Sequence, residues 1–228
     1  FERHAKGVFE ALRGLRRCLV TLETAKHFVF SWADPSITFA STCIVVATEE
    51  PSQFAVLQSS IHEAWARRPG LSKLKTDPRY NPTLCFETYP PPRSTQPLAP
   101  VARQYCTTRE AVSRTREEGL TTTYNRFHDP EESAKDIREL RDLHVEMDRA
   151  VATAYHWSNL PLGHEFHMTR RGIRFQISEK ARVEVVSRLL KLNHEQYADE
   201  VARGLHAGKK KGGGGKGKKV GQAEKELW

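Results

Sequence analysis

The sequence predicts an α+β chain: a small mixed α/β region, then a mainly helical segment, then a disordered basic tail. Three observations carry this. Short runs rich in β-branched and aromatic residues fill positions 17–47. From residue 51 the apolar residues recur mainly at helical spacing. Residues 207–228 are largely a lysine and glycine tract that cannot bury enough apolar surface to offset chain entropy.

The elements follow in order. Phe1, Val8, Leu12 and Leu15 mark one side of a short helix over residues 1–14. Strands are expected at 17–23, at 26–32 and at 37–47, the last ending in the apolar run Ile44-Val45-Val46. Asp34-Pro35-Ser36 is a turn. Phe54, Leu57, Ile61 and Trp65 then predict a helix over 51–67, with Pro51 in its first turn and Ser59, Ser60, Glu63 and Arg67 on its polar face. Residues 70–93 read as irregular. A proline-rich stretch at 94–100 reads as a linker. A polar helix is expected at 101–118. Leu140, Leu143, Met147, Val151 and Ala154 predict a long one within 131–154. Between Gly163 and Ser178 the alternation of Ile173, Phe175 and Ile177 suggests one hairpin or strand. Ser178 can cap a helix over 179–191, and Asn193 with Gln196 a last one over 194–205. The expected organisation is thus 1–93, a linker at 94–100, a helical segment at 101–206 and the tail at 207–228.

Composition narrows the function. The 228 residues carry a net charge of +8, distributed as +3 over 1–100, zero over 101–207 and +5 over 208–228. A clustered excess of this kind suits a polyanion. No run of 18 apolar residues exists, so no membrane partner is expected. No secretory leader is evident, and Cys18, Cys43, Cys85 and Cys106 lack a Cys-x-x-Cys pair, so reduced, mostly buried thiols in a cytoplasmic protein are expected. The chain begins at Phe1 and has its first methionine at Met147, which suggests a piece of a longer polypeptide.

Motifs for chemistry are weak. The sequence holds no Gly-x-Ser-x-Gly elbow and no phosphate-binding loop. His164-x-x-His167, with His156 nearby, is a poor metal signal, so no metal is expected. Asp142, Glu146 and Asp148 alternate with Arg141 and Arg149, as on a solvated ion-pair face. The better signal is cationic. Arg67, Arg68, Lys73, Lys75 and Arg79 lie within 13 positions, flanked by Trp65 and Tyr80. Several Lys and Arg on one surface are what phosphate binding needs.

Two blocks add a resemblance. The first is Phe54-Ala-Val-Leu-Gln-Ser-Ser-Ile-His-Glu-Ala-Trp-Ala-Arg-Arg68, with Leu74-Lys-Thr-Asp-Pro-Arg-Tyr80 and Cys85-Phe-Glu-Thr-Tyr-Pro-Pro-Pro92. It resembles the target recognition domain of MmeI-like adenine DNA methyltransferases, a type of segment shared with the DISARM phage-defence methyltransferases. The second is Leu120-Thr-Thr-Thr-Tyr-Asn-Arg-Phe-His-Asp129, Leu140 to Val151, Tyr155-His-Trp157 and Leu189 to Tyr197. It is similar to the helical segment that follows in that family, so the resemblance spans residues 15–205.

The resemblance implies a larger enzyme of a restriction-modification or phage-defence system that methylates adenine N6 with S-adenosylmethionine. The methyltransferase domain would lie upstream, and this chain would be its DNA-recognition module. The family's catalytic Asn-Pro-Pro-Tyr is absent here, since Asn81-Pro82-Thr83-Leu84 is a different motif. No catalytic residue and no cofactor site in this chain is therefore expected. The implied partners are double-stranded DNA, the methyltransferase domain and other defence subunits. The candidate DNA-binding residues are Arg67, Arg68, Lys73, Lys75, Arg79 and Tyr80, and Phe54, Leu57, Trp65 and Phe86 are expected in the core. Two alternatives stay open: a protein-interaction module docking onto a defence complex, and a non-specific polyanion or RNA binder acting through the tail.

Overall fold

The computed structural model describes residues 2–68 and 79–205. Helix α1 (Glu2–Leu12) ends at a turn where Gly14 takes φ 82°, a left-handed conformation that suits glycine. Strand β1 (Cys18–Leu22) is the centre of a three-stranded antiparallel sheet, between β2 (Ser31–Ala33) and β3 (Cys43–Val46). Leu19 pairs with Trp32 on one side and Val46 on the other, and it is fully buried.

The strand expected at 26–32 shortens to three residues for a visible reason. The backbone before it is satisfied by side chains instead of a ladder. Gln58 accepts from Phe30 N at 2.9 Å and donates to Phe28 O at 3.1 Å, and Arg109 donates to Phe30 O at 2.9 Å. Buried backbone groups must find partners, and here helices supply them.

The helix expected at 51–67 is two: α2 (Pro51–Gln58) and α3 (Ser60–Ala66). Ser59 breaks it. Its backbone is extended, its hydroxyl donates to Val56 O at 2.7 Å, and its oxygen accepts from His62 N. Serine competes with the helix in this way because its side chain can replace backbone partners. Ser59 and Ser60 are therefore buried rather than on a polar face.

A π-helical turn spans Pro82–Phe86 and a 3-10 turn Gln96–Leu98. The π-turn faces Cys85 inward, beside Ala66 O, and leaves Phe86 41% exposed, which corrects the expectation that Phe86 is core. Leu98 is buried, and α4 (Ala99–Thr115) starts directly after it. This helix buries Val101, Ala102, Tyr105, Cys106, Arg109 and Val112, so its polar character is confined to the other face. Helix α5 (Leu120–Phe127) and α6 (Lys135–Ala154) follow, then β4 (Glu165–Thr169) and β5 (Gly172–Gln176), so that of the hairpin or strand expected here the hairpin forms.

Helix α7 (Glu179–Ala202) begins where Ser178 Oγ accepts from Ala181 N at 3.1 Å. It runs through Asn193 without the expected break. The Asn193 amide is engaged elsewhere, donating to Thr88 O at 2.8 Å, and so does not cap a new helix.

Residues up to Asn193 form one packed unit, and those from His194 a second. Within the first, a single core runs from Leu19 through Phe54, Leu57, Ile61, Trp65, Tyr105, Leu140, Met147 and Val151 to Leu189. Cys18, Cys85 and Cys106 are buried free thiols, and Cys43 is half-buried. Among the described residues no helix is long and apolar enough to cross a membrane. The tail from residue 206, and the segment 69–78 with Lys73 and Lys75, lie outside the described residues.

Candidate nucleic-acid interface

The loop cations do not share one role. Arg68 lies flat on Trp65, 3.6 Å from the ring centroid, and donates to Trp65 O at 2.9 Å and Leu84 O at 3.2 Å. It ties the end of α3 to the π-turn. Arg67 pairs with Glu63 at 2.6 Å, one helical turn back, and its side chain is 19% exposed. Arg79 is exposed and pairs with Glu23 through Nε at 2.7 Å. Tyr80 is buried, its hydroxyl 3.3 Å from His62 Nε2, so it is placed with the core aromatics Phe28 and Phe30 rather than on the surface.

What the loop lacks, distant segments supply. His27, in the β1–β2 connection, meets Arg174 of β5: Arg174 Nη2 donates to His27 Nδ1 at 3.0 Å. His27 Nε2 in turn donates to Asn125 Oδ1 at 3.0 Å, which also accepts from Lys26 at 2.6 Å. One nitrogen accepting and one donating require a neutral ring. Burial first, then the charges of Arg174, Lys26 and Arg171, hold the His27 pKa down at about 4, against the pull of the Asn125 hydrogen bond. Burial also lowers Arg174, to about 10, with Glu63 opposing and Arg171 and Arg67 adding. Arg171, at the hairpin turn, donates to Lys26 O.

The result is a cationic face built from three parts of the chain. Lys26, Arg79 and Arg170 are exposed, Arg171 and Arg67 are half-buried, and Arg174 is buried. Among the described residues Glu23 pairs with Arg79 and Glu63 with Arg67. Burial raises the Glu63 pKa, but Arg67 and Arg174 outweigh it and leave the carboxyl below its ordinary value. A small cleft lined by Thr21, Leu22, His27, Arg67 and Arg79 opens on this face. The sequence reading missed the hairpin's part because residues 101–207 are neutral overall. The signal was local: Arg170, Arg171 and Arg174 within five positions, and no acid from Phe166 to Ser178.

A second polar cluster corrects another expectation. Asp148 is fully buried, not on a solvated face. It accepts from Ser60 N at 2.8 Å and His164 Nε2 at 2.8 Å, with His144 Nε2 3.5 Å away. Burial raises its pKa, but His144 and His164 bring it below the ordinary carboxylate value. Arg141 is buried too, donating to the carbonyls of Phe127, Arg126, Asp129 and Glu132 at 2.8–2.9 Å. Asp142, Glu146 and Arg149 do remain exposed.

His167 Nε2 lies 2.9 Å from Gly163 O, and among the described residues no group of three His, Cys, Asp or Glu could hold a metal ion. Asn81 spends its amide oxygen on Thr83 N and Leu84 N, capping the π-turn, so its local role is structural.

Fold and site together define an α+β module with a basic face assembled across its two halves. Residues 18–93 match the family model of the MmeI target recognition domain. A solved structure of the Type IIL restriction-modification enzyme MmeI in complex with DNA shares the fold, with a TM-score of 0.58 and 18% identity. The match covers 80% of this chain and 21% of that one, so the chain spans about one fifth of that enzyme's length. No curated protein matches the chain. The resemblance read from the sequence is thus met both in the first segment and in the fold.

Proposed function

We propose that this chain recognises a duplex DNA target as the specificity module of a restriction-modification methyltransferase. The observation that carries the reading is that Arg171 of the hairpin turn reaches Lys26 O, close to the Thr24–Arg79 bridge, so that the hairpin meets cations of a segment similar to a target recognition domain. Exposed cations of this kind contact phosphates and fix the module's register on the duplex. Arg67 and Arg174, held under the face, add to its potential. Lys73 and Lys75, which lie outside the described residues, stay candidate DNA contacts on their charge alone, and Arg68 ties the end of α3 to the π-turn.

The parent enzyme would methylate adenine N6 and expel the base from the stack to do so. Its methyl donor, S-adenosylmethionine, finds no Asn-Pro-Pro-Tyr in these 228 residues, and would be held by the methyltransferase domain. A role in phage defence, including contacts with other defence subunits and a cytoplasmic setting, goes with that parent. Selection from a random duplex pool tests the reading. Enrichment of one short sequence supports it; binding that never enriches a sequence, or that vanishes on removal of residues 206–228, favours a general polyanion binder and contradicts it.

A further inference from the structure

The hairpin carries two exposed apolar side chains that its own fold does not use. Met168 is 76% exposed and Ile173 is 43% exposed. They are directly opposite in the β4–β5 register, and so on one face of the ribbon. The next pair along that face, Phe166 and Phe175, is packed inward, with Arg141 4.9 Å from the Phe166 ring centroid and Phe127 edge-on to Phe175. The face is therefore anchored at its base and unpartnered at its tip. Around the tip the charge is positive. Arg170 is exposed and makes no ion pair or hydrogen bond among the described residues, Arg171 reaches Lys26 O, and the nearest acid on the ribbon, Glu165, is at its far end.

We propose that the hairpin tip is a groove-inserting wedge: Met168 and Ile173 enter between base steps of duplex DNA while Arg170 and Arg171 hold the flanking phosphates. A short ribbon with an apolar tip and cationic shoulders fits a nucleic-acid groove, since apolar side chains that partly unstack a step can kink the duplex. The polar shoulders argue against an apolar protein surface as the occupant. The wedge rests on the proposed DNA-recognition function and adds duplex distortion to it.

The test uses the whole chain and a duplex enriched from the random pool, labelled with 2-aminopurine across the site and with a donor–acceptor dye pair at its ends. Wild type should raise 2-aminopurine emission and shorten the end-to-end distance. The double variant Met168→Ala/Ile173→Ala should bind about tenfold more weakly, lose both signals and keep its salt dependence, because apolar insertion releases no counterions. Arg170→Ala should instead lower the log–log salt slope by about 0.9. Met168→Leu should keep both signals, and circular dichroism should confirm that each variant folds. If the double variant folds, binds and distorts the duplex as wild type does, the wedge is overturned and the pair serves a protein surface instead. If wild type binds duplex without either signal, the wedge alone fails. If wild type binds no duplex, the recognition reading fails with it.

Discussion

Replacing Asp148 with alanine should unfold this protein's interior more than any surface charge change. The carboxylate sits at 0% exposure on α6 and serves partners from two other places: Ser60 N at the start of α3 and His164 ahead of the hairpin. Its removal leaves a buried amide donor and at least one imidazole donor without acceptors. Breaking a buried charged pair costs about 3–5 kcal/mol, most of it the penalty on the group left behind. At about 2–4 °C per kcal/mol for a chain of this size, the midpoint should fall by roughly 6–20 °C. Asp148→Asn keeps one acceptor and should lose about half as much. Thermal and denaturant unfolding at pH 7 provide the readout, with unchanged m-values as a check on two-state behaviour. The pH sense is also fixed. The folded pKa lies below its ordinary value, so Asp148 stabilises above the unfolded carboxylate pKa and loses that contribution as the pH falls through the folded one. A loss under 1 kcal/mol for Asp148→Ala would refute the view that this carboxylate joins α3, α6 and the hairpin.

Three other outcomes follow. His27 and His62 have pKa values held down from 6.5 to about 4, chiefly by burial, so the unfolded chain takes up protons first on acidification. Stability should therefore drop between about pH 6.5 and 4, by up to about 3 kcal/mol for each, and His62→Gln should flatten the profile of denaturant midpoint against pH; a profile unchanged by it would tell against a neutral buried His62. Arg141→Met should cost about 3–5 kcal/mol in denaturant unfolding, because four carbonyls, two in the last turn of α5 and two just after it, lose their donor, and a cost near zero would show that water replaces the guanidinium freely. Incubated with labelled S-adenosylmethionine and duplex DNA, the chain alone should transfer no methyl group; incorporation would overturn the division of labour.

Much of the fold was legible where one signal dominated. The long α6 showed in its apolar period, the hairpin in the alternation around Phe175, and β1 in its aliphatic run. The misreadings come from side chains satisfying backbone, locally at Ser59 and far away in sequence elsewhere. Gln58 and Arg109 replaced a strand partner for residues 28–30, Ser59 cut a helix, and Asn193 failed to cut one because Thr88 occupied it. The charged stretch of α6 misled for the same reason, since Asp148 and Arg141 turn inward to partners up to 88 residues distant. For the site, cation density in the loop marked one part of the basic face. The pairing of Arg67 with Glu63 was open from their spacing, but the sequence could not show that Glu23 takes Arg79, nor that a hairpin near residue 170 meets Lys26.

The central claim is that the face formed by Lys26, Arg79, Arg170 and Arg171 holds duplex phosphates. The most direct measurement is the affinity of the chain for an enriched duplex at several salt concentrations, for wild type and for single alanine variants of these four. Each cation bound to a phosphate should lower the log–log salt slope by about 0.9 when removed, with the fold unchanged and the preferred sequence the same. Four well-folded variants with wild-type affinity and slope would contradict the account.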